Sequence, residues 1–126
     1  MAPSESNSST IRLALRDLAW DGVRLHLTGE CMSPYITPDT EYTVRRRRFY
    51  WPGDVIVFEA RDGTLTTHRL LGVYWRGGVW KLLTQADTAE RPDFAVPTEQ
   101  LIGLVEGVPP RRLFALGRYL RFCLRR

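Results

Sequence analysis

Cysteine, lysine and long apolar runs are what this chain has least of, and each shortage narrows the reading. There are two cysteines, Cys31 and Cys123, far apart in 126 residues, so no disulfide framework is indicated and a reducing compartment fits better. Lys81 is the only lysine, so any lysine-activated nucleophile would have to use it. The apolar stretches fall well short of the roughly 20 residues that a membrane-spanning helix needs. The first ten residues are polar and Ser-rich, without the basic and apolar regions of a secretory signal.

What remains is the composition of an ordinary globular domain, with 44% hydrophobic and 25% charged residues. At this length the chain holds one domain with a modest core. The net charge of +4 is small but unevenly placed. Arg45 to Arg48 form one run, and six more arginines fall between Arg111 and Arg126.

Residues 1–9 read as a tail. Thr10 is a plausible N-cap for a short helix, with Ile11, Leu13, Leu15, Leu18 and Ala19 on its apolar side, and Asp21-Gly22 ends it. Val23, Leu25 and Leu27 alternate with polar residues, which is strand periodicity. Further strands are expected over Tyr42 to Arg46, Val55 to Phe58, Leu65 to Trp75, Val79 to Leu83 and Leu101 to Val108. Turn signals separate them at Pro52-Gly53-Asp54, Asp62-Gly63 and Gly77-Gly78. Gln85 to Pro97 reads as a polar loop. Past Pro109-Pro110, residues 111–126 have apolar positions at helical spacing among arginines, a basic amphipathic helix. The whole is a mostly-β domain over 10–110, a curled antiparallel sheet or partly open barrel with a short helix at each end.

Cys31 sits in Gly29-Glu30-Cys31-Met32-Ser33-Pro34, a turn constrained by glycine before it and proline after it. A side chain on such a turn projects in a defined direction, as a nucleophile must, and it then needs a base in hydrogen-bond reach. His68, in Thr67-His68-Arg69-Leu70-Leu71-Gly72, is the candidate base. His26 alternates with apolar residues on its strand and is expected to face solvent.

These segments resemble the ordered boxes of the signal peptidase I and LexA-like peptidase superfamily. The Cys31 turn is similar to the nucleophile box, with Cys where the family has Ser. Gly53-Asp54-Val55-Ile56-Val57-Phe58 resembles the Gly-Asp strand that follows, and the His68 segment resembles the general-base box of the endoplasmic-reticulum and archaeal branch, which has His instead of Lys. Thr84-Gln85-Ala86-Asp87 and then Asp93 resemble the last box, Ala86 replacing its glycine.

The resemblance spans about residues 23 to 108 and implies the family's curled β core and a Cys31–His68–Asp93 triad, with Asp87 as the alternative orienter. It implies an oxyanion site at the Cys31 backbone N–H and substrate contacts at Met32 and Pro34. No metal and no cofactor are implied. The activity implied is that of a soluble cysteine endopeptidase acting on a peptide or leader segment, such as the leader of a ribosomally made peptide, in the cytoplasm or at the membrane periphery through Arg111 to Arg126. Nucleic acid is not an expected partner of this enzyme. The rival is a non-catalytic binding module on the same fold, its arginines holding an acidic peptide, nucleic acid or a membrane surface.

Overall fold

A computed structural model describes residues 3–27, 40–60, 63–90 and 93–124. Seven antiparallel strands form one curled sheet: β1 (Val23–Leu27), β2 (Thr40–Arg45), β3 (Val55–Glu59), β4 (Leu65–Arg76), β5 (Val79–Gln85), β6 (Asp93–Pro97) and β7 (Leu101–Val105). Their order across the sheet is β1-β2-β7-β3-β4-β5-β6. Helix α1 (Pro3–Ala19) precedes the sheet and α2 (Arg112–Leu124) follows it.

Strand β3 shows why the sheet is covered on both faces. All five of its residues are buried, and it lies between β7 and β4. Because side chains alternate, Val55 and Val57 point to one face and Ile56 and Phe58 to the other. Val55 and Val57 join Val44, Ile102 and Val105 in a cluster that includes Ala19 of α1. Farther along the same face, Leu71, Tyr74 and Leu83 pack on Ala115 of α2. Ile56 and Phe58 join Leu70, Leu82, Val96 and Leu101 on the opposite face, in a cluster with no residue from either helix. Pairing shifts register between Leu70 and Gly72 and between Leu82 and Thr84, and such bulges bend and twist a sheet.

Helix α2 is fixed at both ends. At its start, Arg112 donates to the Pro52 carbonyl at 2.8 Å and pairs with Asp54 at 3.1 Å. Farther on, Tyr119 donates its hydroxyl to the Val73 carbonyl at 2.7 Å, and the Phe122 and Tyr74 rings lie 5.3 Å apart. Residues 111–124 are therefore part of the domain's packing and not an appendage.

The strand expectations and the turns at Pro52-Gly53-Asp54 and Gly77-Gly78 hold with boundary shifts of one or two residues, except that β7 ends at Val105 instead of Val108, while Asp62 of the remaining turn lies outside the described residues. Two elements differ more. Helix α1 begins at Pro3, seven residues before the expected N-cap, and takes in most of the stretch read as a tail. Proline is compatible with a first helical turn, because its missing N–H would have had no helical partner there. The segment read as a loop contains β6, which adds an edge strand to β5. Its short length and Pro97 hid it, but an edge strand tolerates proline.

Candidate active site

His68 lies on β4 directly opposite Ile56 of β3. Alternation along β4 puts it with Leu70, on the face against which neither α1 nor α2 packs among the described residues. Its imidazole meets the ring of Phe58 edge-on, with centroids 5.9 Å apart at 70°. Phe58 is almost wholly buried and His68 is half-buried, so one side of the imidazole faces the apolar core.

Asp93 opens β6 and pairs with Thr84 of β5, which in turn pairs with Leu70 of β4. The Asp93 backbone is therefore in line with Leu70, at two strand spacings, about 10 Å in a flat sheet, and His68 lies two residues farther along β4. The two bulges that bend this part of the sheet lie between those strands.

Asp87 is placed differently. Arg69 follows His68, so it points to the opposite face, and its guanidinium holds both Asp87 oxygens: Nε to Oδ1 at 2.8 Å and Nη2 to Oδ2 at 2.7 Å. The Arg69 side chain is fully buried and that of Asp87 nearly so. Arg69 Nη1 also donates to the carbonyls of Gly53 at 2.7 Å and Pro109 at 3.0 Å. The pair thus ties β4, the segment after β5, the Gly53 turn and the entry to α2 together. Asp87, the alternative orienter, has its carboxylate committed to Arg69 across the sheet from His68. A buried guanidinium needs such a bidentate partner, because a charge without one is costly there.

The lone lysine is also remote from His68. Lys81 stands opposite Tyr74, six residues along β4, which is about 20 Å of extended strand. His26 is exposed on β1, opposite Glu41, as expected from its alternation. Cys31, Met32 and Pro34 lie outside the described residues, between β1 and β2, as does the side chain of Asp93. Among the described residues no group of three His, Cys, Asp or Glu side chains could hold a metal ion. None of the helices described is long and apolar enough to cross a membrane.

Two residues at this site escaped the sequence reading. Arg69 carried a signal: a lone cation before Leu70-Leu71 in an apolar strand calls for a buried partner. Phe58 read only as a core residue, since its contact with His68 depends on the pairing of β3 with β4.

No protein-family model matches the chain, and no curated protein matches it in sequence.

Proposed function

We propose that the protein is a cysteine endopeptidase that cleaves a peptide or leader segment, with Cys31 as nucleophile, His68 as base and Asp93 as orienter. The observation that supports it best is that the Asp87 carboxylate is held by Arg69, which points to the face of the sheet opposite His68. This leaves Asp93, whose backbone pairs with Thr84 in line with Leu70, as the orienter in this reading.

In this reading the Cys31 sulfur attacks the scissile carbonyl carbon while His68 accepts the thiol proton. The tetrahedral oxyanion takes a hydrogen bond from the Cys31 backbone N–H. Collapse breaks the C–N bond, and His68 returns the proton to the leaving amine, leaving a thioester on Cys31. Water then attacks the thioester with His68 again as base, releasing a carboxylic acid and restoring the thiol. Asp93 would hold the other ring nitrogen, fixing the tautomer and stabilising the imidazolium. Phe58 limits the positions the ring can take.

A peptide bearing a chloromethyl ketone or vinyl sulfone tests this reading. The expected product is a single adduct on Cys31, formed much more slowly in His68→Ala and unaffected by blocking Cys123. An adduct distributed equally between Cys31 and Cys123, or formed as fast without His68, overturns it.

A further inference from the structure

The outer surface of α2 has no role in the proposed chemistry, yet its residues are sorted by chemistry into three stripes. Ala115, Tyr119 and Phe122 face the sheet. Phe114, Arg118 and Arg121, with Arg111 just before the helix, form a second stripe, in which the Arg111 and Arg118 guanidinium carbons lie 4.0 and 5.3 Å from the Phe114 ring centroid. Leu113, Leu116, Leu120 and Leu124 recur every three or four residues and form the third, turned to solvent. Leu113 is 85% exposed and Leu124 is 86% exposed, which packing within the domain does not explain.

Arg112 joins the start of this helix to the Trp51–Asp54 turn. That bond brings exposed Phe49 and Trp51, 5.0 Å apart, to the same end of α2, beside exposed Arg47 and Arg48. The surface thus combines aliphatic side chains, interfacial aromatics and arginines, while the sequence from Arg111 to Arg126 contains no acidic residue.

We infer that this face of α2 docks on an anionic lipid surface, with the leucine stripe entering the headgroup–acyl boundary and the arginines meeting lipid phosphates. Charge complementarity selects this occupant. A second copy placed stripe to stripe would bring the two sets of arginines together without a carboxylate on either helix. A polyanion such as nucleic acid would satisfy the arginines and leave the leucines exposed. A bilayer of negative surface charge satisfies both, and aromatic residues such as Trp51 favour its interface.

The test attaches a polarity-sensitive dye to exposed Cys123, which adjoins the leucine stripe, in a Cys31→Ser protein. Vesicles of phosphatidylcholine with about one-third phosphatidylserine are added, and flotation is measured in parallel on the unlabelled chain. The expected result is a blue-shifted emission and flotation with these vesicles, weakened by salt and absent with phosphatidylcholine alone. Leu113→Gln with Leu120→Gln should weaken binding at least about tenfold, as loss of buried leucine surface requires, with an unchanged circular dichroism spectrum. Arg121→Glu should weaken it as well.

Failure to bind the anionic vesicles overturns the inference. So does binding that the leucine substitutions leave intact, since that is the behaviour of a polyanion site. A leucine variant that changes the oligomeric state and not vesicle binding assigns the stripe to a second copy, and overturns it too. None of these outcomes depends on the reactivity of Cys31.

Discussion

Arg69 and Asp87 meet through two parallel hydrogen bonds, at 2.8 and 2.7 Å, where neither side chain has appreciable contact with solvent. The first consequence is that the two aspartates of one sequence segment should differ in what their loss does. Asp87→Ala leaves the Arg69 guanidinium buried without its carboxylate and should destabilise the fold by about 3–5 kcal/mol. Asp93→Ala should cost much less stability but slow the reaction of Cys31. Urea unfolding and thiol labelling of the two variants separate the roles. Equal loss of stability from both, with no effect on labelling from Asp93→Ala, would remove Asp93 from the site.

The seat of α2 can be tested at Gly72. A Cβ built there would lie 2.6 and 2.7 Å from two Tyr119 ring carbons, closer than packed atoms tolerate. Gly72→Ala should therefore push α2 off β4 and cost about 1–3 kcal/mol, the range for overpacking a filled site. Faster proteolysis between Pro109 and Leu124 should accompany the loss. Tyr119→Phe provides a milder comparison, removing only the hydrogen bond to the Val73 carbonyl.

Tyr50 should give the fold an alkaline weakness. Burial against the helix-free cluster raises its phenol above the ordinary value, although the Arg47 N–H donates to its hydroxyl oxygen at 2.9 Å and opposes the shift. A raised folded value means that the native chain retains the proton after the unfolded chain has lost it. Stability is thus unaffected by this group below about pH 10 and falls as the pH rises from there through the folded value. Tyr50→Phe should reduce the alkaline loss measured by denaturant titration. An unchanged slope would show that Tyr50 does not cause it.

Several of these features could be read from the residues and several could not. Val23-Arg24-Leu25-His26-Leu27 alternates cleanly, and the Asp62-Gly63 and Gly77-Gly78 turns mark the long β4 and β5 strands, so most of the sheet was legible. Strand β6 was not, because five residues ending in proline present too little alternation and owe their strand form to pairing with β5. The N-terminal extension of α1 carries serine and asparagine, which favour caps and turns over helix interiors.

At the candidate site, the side of the sheet occupied by His68 follows from alternation alone. That Asp87 is held by Arg69 does not, because it depends on a buried guanidinium finding its carboxylate in another segment of the chain.

The most direct test of the central claim is the alkylation rate of Cys31 as a function of pH, measured by mass spectrometry in the native protein and in His68→Ala. Exposed Cys123 in the same molecule supplies an internal reference. An activated Cys31–His68 pair requires that Cys31 react rapidly well below the ordinary thiol value near 8.5, and that His68→Ala return it toward the Cys123 profile. Equal profiles for the two cysteines, or a Cys31 profile unchanged by His68→Ala, would contradict it.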